Sequence, residues 1–393
     1  MDANHSPSFS AVGLTQLGPV GAGCATEPSR RAWQWVHAQL PSEPDPEQAL
    51  PALGALALYH HCVAKALDLE AAAARAQRWQ VQLATRLLPL SPFPWPPAYL
   101  DQACLLAWLV TDGLADAPGL LAPLDQHLAR QGQLLLAGPD TRNRPLFFQV
   151  LRYFSLRLPD AAVPPLLRAV LSAWPSGWAA AAPARLSLVQ GAAAELLVCI
   201  RLAKAGMGTT TLVPYVCEGV RHLLTAKRAV DSSQQQYAIF PDEANQPADG
   251  PRFSAELSWR RGDLGQALLL YEAHDLLGDP ELVKFADLVG LHTLLRTTAL
   301  ATDVRGTSLY QGAAGVAHLY RQLHRYSPQA AYLKGYEFWL SRTCQWLPAE
   351  YPAAADAPAP DLLRYGLVGV GLVLLSASTG QALGWESALL GAD

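Results

Sequence analysis

Apolar residues recur at i, i+3, i+4 and i+7 along most of the chain, the pattern of helices that bury one face. It predicts helices over 52–69, 103–114, 146–158, 192–205, 212–224, 266–277, 282–295, 313–323, 331–346 and 368–378. Ala and Leu dominate these stretches, and both are strong helix formers. Val, Ile and Thr rarely alternate with polar residues over strand lengths, so strands are not expected. Breakers separate the helices. Ser91 to Pro97 carries prolines at 92, 94, 96 and 97, each fixing its own φ and restricting the residue before it. Residues 231–256 form a long polar loop, and a loop of that length inside a domain is either functional, here as a lid, or disordered. Residues 348–360 are rich in Ala and Pro and read as a connector. Helical pattern of the same composition resumes after each breaker. The organisation expected is therefore an N-terminal arm over 1–28 and one all-α domain over 29–393.

Composition narrows the class. Of 393 residues, 51% are apolar and 16% charged, against a usual charged share of about 25%. Such a chain buries a large core and is not intrinsically disordered. A net charge of −4 gives no basic footprint for nucleic acid. Mean hydropathy is +0.11, and the most apolar run, 367–377, is shorter than the ~20 residues a membrane span needs. The start Met-Asp-Ala-Asn-His has no basic region followed by an apolar one, so no signal peptide and a cytoplasmic location are expected. Cysteines at 24, 62, 104, 199, 217 and 344 are scattered and make no Cys-x-x-Cys pair. Buried free thiols are the expectation.

Internal repetition says more. Four helix starts share small-residue punctuation: Leu188-Val-Gln-Gly191, Trp259-Arg-Arg-Gly262-Asp-Leu-Gly265, Leu309-Tyr-Gln-Gly312-Ala-Ala-Gly315 and Arg364-Tyr-Gly366-Leu-Val-Gly369. Their leading glycines lie about 50 to 70 residues apart, one helical hairpin each. Fainter relatives are expected at Gly54 and Asp101. Glycine costs about 1 kcal/mol against alanine inside a helix, so its recurrence needs a reason. Close helix approach and a sharp turn into each helix supply one. A ring of helices entering from one side needs both. The fold expected is an α/α-toroid, apolar helices inside and more polar ones outside; the alternative is an open helical solenoid.

These residues resemble a family. Leu257-Ser-Trp-Arg-Arg-Gly-Asp-Leu-Gly265 resembles the Ser-Trp-Cys-x-Gly-Asp/x-x-Gly motif of the lanthionine synthetase C-like proteins. Ser308-Leu-Tyr-Gln-Gly-Ala-Ala-Gly315 resembles their Cys-His-Gly-x-x-Gly motif, Leu188 to Gly191 their His-Gly motif, and Arg364 to Gly369 their last Gly-x-x-Gly. Phe240-Pro241 ahead of the long loop fits the same layout. The likeness runs over about 186–380 and is general before that. It implies an α/α-barrel that matures ribosomally made peptides by adding a cysteine thiol to a dehydrated serine or threonine. It also implies zinc, held by Cys, Cys and His with one position open for that thiol.

The chain departs from the family at each position where that chemistry sits. Arg260 stands at the first zinc cysteine, Tyr310 at the second and Gln311 at the zinc histidine; Gln190 stands at the acid/base histidine. Arginine stays charged and cannot ligate a cation, and glutamine is a poor zinc ligand, so no zinc or other cofactor is expected. Asp140 is the acid nearest the family's catalytic aspartate, but the glycine expected after it is missing and no role is carried over. His60-His61-Cys62 offers ligand types, yet neighbours on a helix point about 100° apart and do not converge on one ion. His292, His318 and His324 read as packing or surface histidines.

The candidate mouth is thus polar without metal: Gln190, Trp259, Arg260, Arg261, Asp263, Tyr310, Gln311, Arg364 and Tyr365. Arg260 is a fixed positive charge with two partners in reach, Asp263 on the next turn or a carboxylate of a bound peptide. Three uses follow. One is a peptide-maturation protein that has lost the zinc cyclase site and binds a precursor peptide or a peptide-modifying enzyme. Another is a zinc-independent cyclase. The third is glycan hydrolysis, which needs paired carboxylates about 5–9.5 Å apart; Asp263 is the one acid in the matched helix starts, with Glu195 a turn beyond Gln190.

Overall fold

A computed structural model describes residues 27–45, 47–89, 97–113, 119–137, 144–172, 174, 185–189, 191–231, 233, 236–243, 253–351 and 361–389. In its first half the chain runs through α1 (Glu27–Gln39), α2 (Leu50–Leu67), α3 (Glu70–Leu87), α4 (Pro97–Gly113), α5 (Ala122–Ala137), α6 (Arg144–Arg157), α7 (Val163–Leu171) and α8 (Ala192–Lys204). It continues through α9 (Thr209–Ala226), α10 (Asp263–Leu277), α11 (Pro280–Thr293), α12 (Ala299–Thr302), α13 (Ala313–Tyr326), α14 (Ala330–Glu350), α15 (Leu367–Thr379) and α16 (Glu386–Leu389). Among the described residues there is no strand, only isolated bridges joining Arg185 to Glu243 and Asp231 to Gln236.

The helices form two concentric rings. Inside, α2, α4, α6, α8, α10, α13 and α15 pack each on the next, and α15 packs back on α2. Outside, α3 covers α2 and α4, α5 and α7 cover α6, α9 covers α8 and α10, α11 covers α10, and α14 covers α13. α1 lies on α15 and α14 and completes the outer ring. The fold is an α/α-toroid, closed rather than an open solenoid.

Side-chain chemistry sorts the layers. α15 is buried at every position from Val368 to Thr379, as a helix apolar on all sides requires. α3 buries Trp79, Leu83 and Leu87 along one stripe and turns Arg75, Arg78 and Arg86 outward or to the rim. Where inner helices meet, glycine makes room. A Cβ on Gly54 would lie 1.7 Å from the side-chain oxygen of Gln102. Gly54 and Asp101, the fainter repeats, lie just inside α2 and α4, which start at Leu50 and Pro97, rather than at their N-caps.

Other boundaries also differ from the sequence pattern. α14 runs past Pro348 to Glu350, because a proline in the last turn removes only one N–H donor from the ladder. α1 begins at Glu27, two residues inside the expected arm, and the residues before it lie outside the described set. Cys62, Cys104 and Cys199 are buried, but Cys217 is exposed on α9 and Cys344 half-buried; Cys24 lies outside the described residues. Within the described residues no helix is long and apolar enough to cross a membrane.

Candidate functional site at the toroid mouth

The turns leading into α8, α10, α13 and α15 gather at one end of the inner ring and are stitched together by hydrogen bonds to their backbone carbonyls. The Tyr310 N–H donates to the Arg364 carbonyl at 3.0 Å, and the Arg260 N–H donates to the Tyr310 carbonyl at 3.1 Å. The Gln266 side chain donates to the Leu186 carbonyl, and the Leu186 N–H donates to the Asp242 carbonyl at 3.0 Å.

Each turn ends on a glycine N-cap: Gly191, Gly262, Gly312 and Gly366. At Gly312 the backbone is extended and suits any residue, but a Cβ would sit 2.2 Å from the Ser308 nitrogen. Gly262 adds a second requirement, with φ +101° and a Cβ position 2.1 Å from the Glu256 carbonyl. Four residues before three of these glycines stands a serine: Ser187, Ser258 and Ser308. The Ser258 hydroxyl accepts from the Arg260 and Arg261 N–H groups at 3.1 and 3.0 Å and donates to Glu256 at 2.6 Å. The Ser308 hydroxyl accepts from the Gln311 N–H at 3.4 Å. In the last turn Asp361 takes this part, accepting from the Leu363 and Arg364 N–H groups. The Ser-x-x-x-Gly spacing is readable in the sequence, but attention to the glycines alone passes over it.

The candidate residues divide by exposure. Trp259, Asp263 and Tyr310 are buried; Arg260, Arg261, Gln311 and Arg364 are half-buried; Tyr365 is exposed. Gln190 and Asp140 lie outside the described residues. Asp263 does not reach Arg260. It turns inward to Arg296 at 3.2 Å and accepts from the Ile239 and Phe240 N–H groups at 3.0 and 3.1 Å. Burial pushes its carboxyl up, against the pull of Arg296 and the two amides. A carboxylate buried in the wall requires partners, and Arg296 and the two amides supply them there. Asp263 therefore pins residues 239–240 of the 231–256 loop to α10, while 244–252 lie outside the described residues.

Arg364 bridges inward too. It donates to Asp101 on α4, lies 3.4 Å from Asp361, and stacks over Tyr310 at 5.4 Å. Asp101 also accepts from Arg152 of α6 at 2.7 Å. Burial raises the Tyr310 hydroxyl above its ordinary value. Arg261 lies 3.8 Å from Asp242, whose carboxyl burial pushes up against that arginine's pull. The Arg260 guanidinium makes no hydrogen bond to the described residues. The mouth thus offers an arginine fork whose hydrogen-bond donors have no partner among the described residues, suited to a carboxylate, next to an acid, Asp242, on which its charge already acts together with that of Arg261.

Neither acid considered for glycan hydrolysis faces this mouth as a partner of the other. Asp263 is committed to Arg296, and Glu195 is buried against Arg144 at 2.7 Å and Tyr215 at 3.0 Å. The histidine–cysteine run behaves as its helix dictates: His60 meets the Pro41 carbonyl, His61 meets Asp112, and Cys62 is enclosed in the core.

No family model matches this chain, and no curated protein matches its sequence. Solved structures do match: nisin cyclase superposes with a TM-score of 0.64 at 14% identity, over 92% of this chain and 96% of its own. The chain has the fold of nisin cyclase. The family likeness implies zinc at the mouth, and the donor set can be tested for it. Zinc takes thiolate, imidazole and carboxylate. The matching positions hold a permanent cation, an amide, and a phenol enclosed beneath Arg364. Among the described residues no three His, Cys, Asp or Glu side chains group to hold a metal. The residues present do not fit zinc.

Proposed function

We propose that this chain is a lanthionine synthetase C-like protein of ribosomal peptide maturation that has lost the zinc cyclase site. In this reading it works in the cytoplasm as one domain over 29–393 and uses the mouth to bind a precursor peptide, or the enzyme that modifies one. The observation that carries the reading is the mouth itself: a nisin-cyclase-like toroid whose turns before α10 and α13 carry Arg260, Tyr310 and Gln311 where the resembled family carries metal ligands. Arg260 is the anchor for a peptide carboxylate, Tyr365 offers an exposed ring 5.9 Å from that of Tyr310, and the Arg261–Asp242 pair sets the rim.

Fluorescein-labelled peptides containing Ser, Thr, Cys and acidic residues, titrated into the protein, test this. Binding that weakens about tenfold, or ~1.4 kcal/mol, in Arg260→Ala supports the assignment. Arg260→Lys keeps the charge but not the fork and restores only part of the affinity. Binding that is absent, or unchanged in Arg260→Ala, overturns it.

A further inference from the structure

The end of the inner ring opposite the mouth is closed by the chain's own last described segment. After α15 the backbone turns at Gly380 and Gly384, both at positive φ, and enters α16. Leu383, Trp385, Ala388 and Leu389 are all buried. The segment touches most of the ring. Arg321 of α13 donates to the Gly380 and Gln381 carbonyls at 3.1 and 3.0 Å, and Arg201 of α8 to the Ser387 carbonyl at 3.1 Å. Arg152 of α6 donates to the Ala388 carbonyl. Glu386 accepts from Gln322 at 3.0 Å and lies 3.4 Å from Arg325, both on α13. Gln381 reaches the Ala66 carbonyl at the end of α2. A segment held through its carbonyls by three arginines sits on the ring as a bound peptide would, tied by charge-assisted bonds.

Two separate lines of contact join this segment to the mouth. One is aromatic: the Trp385 ring lies 4.5 Å from His318, and His318 lies 5.5 Å from Trp259 in the turn before α10. The other is polar. Arg152 holds the Ala388 carbonyl and Asp101 together, and the second oxygen of Asp101 takes Arg364 in the turn before α15. Arg364 then accepts from Tyr310, and Tyr310 from Arg260, through their backbones. Both lines end on the turns that carry the candidate residues.

We propose that residues 380–389 form an internal strap whose docking holds the turns 258–262 and 362–366 in place, so that loosening the strap loosens the mouth. Trp385 and Arg152 are then positioning residues that act through His318 and Asp101. The inference does not depend on what the mouth binds.

Hydrogen exchange of the full chain, read by mass spectrometry, tests it. In Trp385→Ala, amides of 258–262 and 362–366 exchange about tenfold faster while those of α9 keep their rate. Trp385→Phe, which keeps a ring against His318, restores most of the protection. Should Trp385→Ala fail to fold, Arg321→Ala loosens the strap from its exposed rim, and the same turns report. Faster exchange in 380–389 with unchanged mouth turns overturns the proposal. So does a uniform increase that includes α9, since it marks global destabilisation only.

Discussion

A methyl group added at Gly262 meets the Glu256 carbonyl at 2.1 Å, in a backbone already at φ +101° and ψ 178°. That conformation is essentially confined to glycine, and the opposing atom is backbone that cannot swing away. Gly278 differs: it too has positive φ, at +70°, but nothing lies within 4 Å of its missing Cβ. Gly278→Ala is expected to cost about 1 kcal/mol for the left-handed backbone. Gly262→Ala adds the clash and costs at least about 2 kcal/mol. Urea unfolding midpoints of the two variants check the ranking, and equal shifts would contradict it. The same residues show what a sequence discloses about a site. Arg260 and Arg261 are legible because they stand just before the glycine that starts the helix; the Ser258 hydroxyl that holds their amides appears only in the structure. Asp263 looks equivalent in spacing, but its donors are the amides of Ile239 and Phe240, over twenty residues upstream, and Arg296 beyond the next helix. No local pattern carries that pairing. Tyr310 is enclosed for a similar reason, since Arg364, which covers it, arrives from a turn more than fifty residues later.

Helices that face the core on every side were legible because their composition leaves them no other place. α15 and α2 are apolar along nearly their whole length, and the predicted boundaries fall within two residues of the observed ones. The outer helices were harder. α7 has nine residues with two prolines near its start, and α5 mixes its apolar positions with Asp125, Gln126, His127 and Arg130. The ring order and the strap rest on contacts between distant segments, which periodicity does not encode. Element packing also sets a pH dependence. His60 on α2 stacks on Trp79 of α3, and His318 on α13 is enclosed between Trp259 and Trp385. Burial drives each imidazole down to about 4. Glu43 opposes this at His60, where His37 and Arg75 reinforce it; Glu386 opposes it at His318, where Arg321 and Arg325 reinforce it. A folded value below the unfolded one means the unfolded chain binds more protons between about pH 4 and 6.5. Stability therefore falls as pH drops through that window, by up to about 3 kcal/mol for each histidine. Urea midpoints from pH 7 to 4 should shift less in His318→Gln, and less again with His60→Gln added. A slope unchanged by both substitutions would assign the loss elsewhere.

Closure gives the whole molecule a property that no single hairpin has. In an open solenoid each repeat touches only its neighbours, so weakening a terminal helix frays that end and leaves the remainder standing. Here α1, the first described helix, packs on α14 and α15, and α15 packs on α2. The first described helix and the first and last helices of the inner ring therefore meet in one seam. Trp33 and Val36 of α1 are buried there, and a Cβ on Gly371 of α15 would touch Val36 at 2.9 Å and Tyr59 of α2 at 2.8 Å. His37 bonds the Tyr59 hydroxyl across the same seam at 3.1 Å. Trp33→Ala opens a cavity where three helices from opposite ends of the chain converge, a loss of about 3–5 kcal/mol. If closure holds the ring together, that loss is shared by every inner helix, and calorimetry of the variant shows one transition moved down as a whole. If the seam is only contact between two ends, a small early transition for α1 to α3 separates while the main one stays where it was. The shape of the thermogram, rather than the size of its shift, decides between the two.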